Sequence, residues 1–281
     1  MIYAERTSSC INGANLDITF TITDPAFDGP LPAVLLLHGF KGFRNWGFFP
    51  MAAQVLASRG MIALRADTSL NGMRGTNDRV VAPEDFASNT ISAELLDLHT
   101  LVASLSQELG TRWNGTLHIV GHSRGGGLSH VLGRELLHEQ QPPMQLGRLV
   151  VWNSIAEWQR WTPRQRDSWL TEGHIEMENT RTGQMLQMNS TYLVDIEDNA
   201  QRFDIQEASR ALRGRLLYIH AEQDVTVPLR EVKGLVKAAG CEDRLVTVPQ
   251  TGHTFGITHP VERITSAFVR VIEQTADWLT Q

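Results

Sequence analysis

The stretch that most constrains this chain is Gly121-His122-Ser123-Arg124-Gly125-Gly126, set directly after the apolar run Thr116-Leu117-His118-Ile119-Val120. A helical pattern follows from about Gly127 to Leu137. A buried strand therefore runs into a glycine-flanked serine and on into a helix, the strand–turn–helix context of a nucleophile elbow. At so tight a turn the serine adopts a strained backbone, and side chains at the flanking positions would strike strand and helix. Gly121 and Gly125 remove those side chains. The turn then holds the Ser123 hydroxyl up and exposed, within reach of a histidine.

The rest of the chain supplies strands and helices in alternation. Ala33-Val34-Leu35-Leu36-Leu37 is continuously apolar, as a strand covered on both faces must be. Met61–Ala66 is a second short buried strand, and further strands are expected at 149–152, 216–219 and 245–248. Leu16–Ile22 alternates apolar and polar residues and suits a half-exposed strand near a sheet edge. Ile91, Leu95, Leu98, Val102, Leu105 and Leu109 form one stripe at helical spacing. Other helices are expected at 48–58 and 261–279. This alternation predicts an α/β protein with a mostly parallel, doubly wound sheet.

Residues 154–210 break the pattern. No strong strand is visible there and polarity rises, yet Trp158, Trp161, Trp169, Met177, Met185 and Met188 recur among the charges. Linkers seldom carry so many large apolar groups, so the segment is expected to be an inserted cap. Residues 1–153 and 211–281 would then form the core. At 281 residues with 42% apolar and 20% charged residues, one large α/β domain with an insertion is the natural expectation.

Charge and hydropathy exclude several classes. The net charge is −6 and the basic residues are scattered, which leaves no row of cations to neutralise phosphates, so no nucleic-acid partner is expected. No apolar stretch approaches the roughly 20 residues that span a bilayer, and no membrane association is expected. Met1–Arg6 lacks the layout of a signal peptide. Cys10 and Cys241 read as free thiols in a reducing cytoplasm, with a single disulfide as the alternative. The histidines show no His-Glu-x-x-His pattern, and neither P-loop nor G-x-G-x-x-G spacing is present. No metal or cofactor is implied.

A serine hydroxyl is a weak nucleophile until a base takes its proton, and the base needs a third group to fix its tautomer. Leu216–Asp224 is an apolar strand followed by a loop bearing Asp224, and His253 lies in the loop after the last strand. Both stand at carboxyl ends of strands, where open parallel sheets place their sites. His220 and His259 compete with His253, but one closes an apolar strand and the other precedes Pro260, so both are expected to serve structure. Glu222, Asp195 and Asp198 are the rivals of Asp224. His38 is expected to support a turn, and His122 to form a wall of the elbow. Trp158 and Trp161 are candidates to face the substrate, although packing the cap would use them equally well. Lys41 and Arg44 are expected to be solvated surface charges rather than contacts for an acidic substrate.

On His38-Gly39-Phe40, the elbow, Gln223-Asp224 and Gly252-His253, the chain resembles the α/β-hydrolase superfamily over nearly its whole length. It is similar to the dienelactone-hydrolase-like and serine-aminopeptidase-like groups, and particularly to capped bacterial cinnamoyl and feruloyl esterases. The order Ser123, Asp224, His253 is the chain order of that superfamily's triad. The resemblance implies Ser123 as nucleophile, His253 as general base and acid, and Asp224 as the carboxylate orienting it. It also implies an oxyanion hole from the backbone N–H groups of Phe40 and Arg124, the two donors that acyl transfer needs. Where the feruloyl-esterase relatives often have Gln after the nucleophile, this chain has Arg124, whose side chain is expected to alter substrate preference. The expected function is cleavage of carboxylic esters, with short-acyl or aryl esters favoured. Alternatives are an aminopeptidase or amidase, a thioesterase, or a catalytically silent binding protein. The expected partner is a small-molecule ester, with a homodimer left open.

Overall fold

The structure, a computed structural model, describes residues 3–74, 78–139 and 144–281. Its strands are β1 (Tyr3–Ile11), β2 (Asp17–Pro25), β3 (Leu31–Leu37), β4 (Ile62–Ala66), β5 (Trp113–His122), β6 (Gln145–Trp152), β7 (His174–Asn179), β8 (Gln184–Asn189), β9 (Leu216–Ala221) and β10 (Leu245–Val248). Its helices are α1 (Phe49–Ser58), α2 (Pro83–Ser88), α3 (Ile91–Leu109), α4 (Arg124–Glu139), α5 (Pro163–Glu172), α6 (Thr191–Asp198), α7 (Ile205–Leu212), α8 (Leu229–Ala239) and α9 (Ser266–Thr280). Eight strands form one sheet in the order β1-β2-β4-β3-β5-β6-β9-β10. From β4 to β10 every pairing is parallel, and β2 runs antiparallel to both β1 and β4.

The parallel strands are apolar on both faces because both faces are covered. In β3, Leu35 and Leu37 enter a core that includes residues of α3 and α4, while Val34 and Leu36 enter a second core that includes residues of α1 and α9. This is the doubly wound arrangement expected from the alternation of elements. The Leu16–Ile22 strand lies near the edge as expected, one place in from it, but is mostly buried rather than half-exposed. The edge itself is β1, whose residues are mostly exposed and carry no apolar alternation. The closing helix starts at Ser266, with Thr265 as its N-cap accepting from the Phe268 N–H at 3.1 Å. Val261 and Ile264, assigned to that helix from sequence, lie ahead of it and are exposed.

The region expected to lack strands contains a hairpin, β7 against β8, paired from His174↔Asn189 to Asn179↔Gln184. Leu186 and Met188 on β8 are buried while Met185 and Gln187 face outward, the alternation of a half-covered strand. Trp169 of α5 donates its indole N–H to the Met188 carbonyl at 2.9 Å and stacks on Tyr192 of α6. Position 210, the expected end of the insertion, falls inside α7, whose Leu212 closes over Gly133 of α4. Cys10 and Cys241 are both free thiols. Among the described residues, no helix is long and apolar enough to cross a membrane.

Candidate active site

Ser123 has φ +56°, a left-handed backbone forced on a non-glycine residue between β5 and α4. The strain is held by hydrogen bonds on both sides. Its N–H donates to the Trp152 carbonyl at 2.9 Å, and its carbonyl accepts from the Gly126 N–H at 2.9 Å. A Cβ at Gly121 would collide with the Gly125 carbonyl and the Ser129 hydroxyl, and one at Gly125 would lie 2.5 Å from the His38 carbonyl oxygen. The turn thus closes only with glycine at both places, and it seats the end of β3 against the start of α4.

His253 follows β10 and Asp224 follows β9, two neighbouring parallel strands. The His253 Nδ1–H donates to Asp224 Oδ2 at 2.7 Å, which leaves Nε2 as the ring nitrogen with a lone pair. Asp224 Oδ1 accepts from the N–H groups of Thr226 and Val227 at 2.8 and 2.9 Å, so the carboxylate is fixed from both oxygens. Its pKa is lowered; burial works against the shift, and the hydrogen bond and charge of His253 outweigh it. The rival histidine, His220, donates to the Val227 carbonyl at 2.9 Å and is buried. The other rival, His259, accepts from the Gly47 N–H at 3.0 Å. Among the rival acids, Asp195 accepts from the Ser92 N–H at 2.9 Å, and Glu222 lies exposed.

The loop after β3 lies against this turn. A Cβ on Gly39 would come within 3.1 Å of the Ser123 Cβ, so Phe40 follows directly on the closest approach. Arg124 opens α4, where the first helical N–H groups lack intrahelical acceptors. Among the described residues, no group accepts from the N–H of Phe40 or of Arg124. The loop is braced by the His38 Nδ1–H donating to the Gly39 carbonyl at 2.9 Å, as expected of a turn support. Asp67, at the end of β4, accepts from the Arg44 N–H at 2.7 Å and pairs with the Arg44 guanidinium.

Lys41 and Arg44 are therefore not the solvated charges expected. Arg44 is buried against Asp67, and the Lys41 Nζ donates to the Glu178 carbonyl at 2.8 Å across to β7. Burial pushes the Lys41 ammonium below its ordinary value, with Glu178 opposing. Arg124 departs from expectation in the same way. Its side chain is 7% exposed, pairs with Glu94 Oε2 at 2.7 Å, and lies between the rings of Phe40 and Tyr192 at 5.3 and 5.1 Å. It belongs to the packing and not to a substrate surface.

No protein-family model matches the chain, and no curated protein matches it significantly. Solved structures do. An alpha/beta hydrolase, GrgF from Penicillium sp. sh18, superposes with a TM-score of 0.73 at 12% identity, covering 99% of this chain and 98% of that one. Est1E from Butyrivibrio proteoclasticus superposes with a TM-score of 0.68 at 16% identity over 98% of this chain and 99% of that one. The esterase domain of a Rhodothermus marinus protein does so with a TM-score of 0.63 at 17% identity, over 98% and 97%. The fold is that of the α/β-hydrolases.

In this α/β-hydrolase fold a cavity of about 420 Å³ brings together Ser123, His253, Phe40 and His122. Trp158 and Trp161, the sequence candidates for substrate contact, do not border it. The Trp158 indole N–H donates to the Phe203 carbonyl at 2.7 Å, and Trp161 packs edge-on to Trp169 and Tyr192. Trp161 thus packs within the 154–210 segment, and Trp158 also packs against Gly127 of α4. The apolar wall is instead Trp46, Phe49 and Ile257, and the β7–β8 turn adds Asn179, Thr180 and Arg181. Sequence reasoning also missed Asn153, which donates to the His253 carbonyl at 2.7 Å and accepts from the Ala221 N–H at 2.7 Å. Its place directly after the β6 apolar run, at a strand's carboxyl end, was an available signal.

Proposed function

We propose that the chain is a serine hydrolase that cleaves carboxylic esters through an acyl-enzyme. The observation that carries the reading is the 2.7 Å His253–Asp224 hydrogen bond at the wall of the cavity that Ser123 also borders. Ser123 Oγ attacks the ester carbonyl carbon while His253 Nε2 takes its proton. The carbonyl oxygen becomes an oxyanion and accepts from the N–H groups of Phe40 and Arg124. Collapse of the tetrahedral adduct breaks the bond to the alcohol oxygen, which receives the proton from Nε2. Water then attacks the acyl-enzyme, gives its proton to Nε2, and the carboxylic acid leaves as Ser123 regains its hydrogen.

The segment between β6 and α7 acts in this reading as a cap, because the β7–β8 turn supplies part of the cavity wall. The apolar side at Trp46 and Phe49 suits a short acyl or aryl group. One similar structure is described as Est1E with ferulic acid bound, an aryl acid, which supports the aryl side of the proposal.

The experiment is turnover of p-nitrophenyl acetate and butyrate beside matched thioesters and aminoacyl anilides, with fluorophosphonate labelling. Wild type should hydrolyse the esters fastest and take the label, and Ser123→Ala should do neither. Faster turnover of the anilides would replace the esterase by an amidase, and an unlabelled wild-type protein would indicate a binding protein.

A further inference from the structure

The cavity that holds Ser123 and His253 is one-sided in charge. Lys41 and Arg181 border it, and among the described residues lining it there is no Asp or Glu. Lys41 follows the candidate oxyanion residue Phe40 directly, and Arg181 descends from the β7–β8 turn opposite. Neither cation is fully neutralised. The Lys41 ammonium donates to a backbone carbonyl. The Arg181 side chain is 17% exposed, and its nearest carboxylate oxygen, on Asp78, stands 3.9 Å from Nη1 on a side chain itself 59% exposed. Among the described residues, nothing accepts a hydrogen bond from either Arg181 Nη atom, both of which are screened from solvent, while the guanidinium lies over the Phe43 ring at 5.3 Å. A shielded cation with unmet donors is costly unless an anion completes it. Such a charge on the wall of a confined cleft also concentrates anions within it.

We infer that the substrate carries a carboxylate besides its scissile ester, and that Arg181, assisted by Lys41, selects for it. The substrate class is then half-esters of dicarboxylic acids, or esters whose alcohol portion bears an acid. The inference rests on the esterase reading and specifies its substrate.

Two matched pairs locate the anion. On the acyl side, p-nitrophenyl hydrogen glutarate is compared with p-nitrophenyl pentanoate. On the alcohol side, 4-acetoxybenzoate is compared with 4-acetoxybenzamide. Wild type should prefer the anionic member of one pair by roughly 10- to 100-fold in kcat/KM, the range of one hydrogen bond to a charged group. The preference should shrink with salt. Arg181→Gln should bring the ratio toward one, and Arg181→Lys should restore part of it. Wild-type ratios near one in both pairs overturn the inference without any variant, as does a preference that Arg181→Gln leaves intact. If no ester is turned over, calorimetry on Ser123→Ala with monomethyl glutarate against dimethyl glutarate reads the subsite alone. Tighter binding of the anion, lost in Ser123→Ala/Arg181→Gln, supports it even as the esterase reading falls. Equal affinities remove it.

Discussion

Asn153 Nδ2 donates to the backbone carbonyl of His253 at 2.7 Å, and the same side chain accepts from the Ala221 N–H at 2.7 Å. One fully buried amide therefore ties the end of β6 to the end of β9 and to the loop that carries the candidate base. His122 adds a second donor to the same carbonyl at 2.8 Å. Asn153 has φ +47°, a conformation that Asn tolerates better than most residues. Asn153→Ala should lower kcat by about 10²-fold, the scale of a misplaced catalytic group. It should also cost roughly 1–3 kcal/mol of stability through the buried groups left unpaired. Steady-state kinetics with urea denaturation checks both, and wild-type kcat in a destabilised variant would leave Asn153 a purely structural part.

Asp224→Asn keeps the shape of the side chain and reverses what it offers His253. The carboxylate accepts from Nδ1–H and also from the N–H groups of Thr226 and Val227. An amide in its place can turn its NH2 toward the ring, which favours the tautomer whose proton is on Nε2. That tautomer cannot accept the Ser123 proton. We expect kcat to fall roughly 10³–10⁴-fold with KM changed far less. A loss below tenfold would show that another group orients the imidazole.

The legible part of the molecule was the part written locally. The Ser123 turn declares itself by two glycines, Asp224 follows the fully buried apolar run of β9, and His253 follows the short, mostly apolar run of β10. The illegible parts depend on what chain segments meet. Strand β1 has polar residues facing solvent on both sides, so it lacks the alternation that identifies a strand. Hairpin β7–β8 carries that alternation weakly, with Met185 outward and Leu186 inward beside Met188. Trp158 and Trp161 show how little residue type says about direction, since packing and ligand contact both call for a large indole. Arg181 has no local signature, and only the turn of the hairpin takes it to the cavity.

Arg124 and Glu94 form a buried pair whose two halves come from α4 and α3. Asn89 Nδ2 donates to the other Glu94 oxygen at 3.1 Å, and the guanidinium lies between Phe40 and Tyr192. Arg124→Met leaves Glu94 as an uncompensated buried charge, and a loss of roughly 3–5 kcal/mol is expected. Glu94→Gln with Arg124→Met removes both charges and should recover much of that loss. Urea denaturation of the singles and the double measures the coupling. Additive losses would mean that the two residues act separately.

Burial lowers the pKa of four buried histidines, His220 among them and His118, His122 and His130 most strongly, which makes the fold acid-sensitive. His118 Nδ1 accepts from the Arg148 N–H at 2.9 Å, and burial lowers its pKa to about 4. Burial lowers His130 to about 4 and His122 to about 3, with His253 adding to the effect on His122. The folded chain keeps all three neutral, whereas the unfolded chain protonates them below its ordinary value of about 6.5. Their contribution to stability is therefore complete above about pH 6.5 and is lost as the pH falls toward 4. Each contributes a slope of up to about 1.4 kcal/mol per pH unit in that window, and three together roughly 4. Denaturation midpoints at pH 7, 5.5 and 4.5 should show this decline. His118→Asn preserves an acceptor for Arg148 without a titrating ring and should reduce the slope by up to about 1.4 kcal/mol per pH unit. An unchanged slope would mean that His118 titrates alike in the folded and unfolded chain, with no burial penalty to lose.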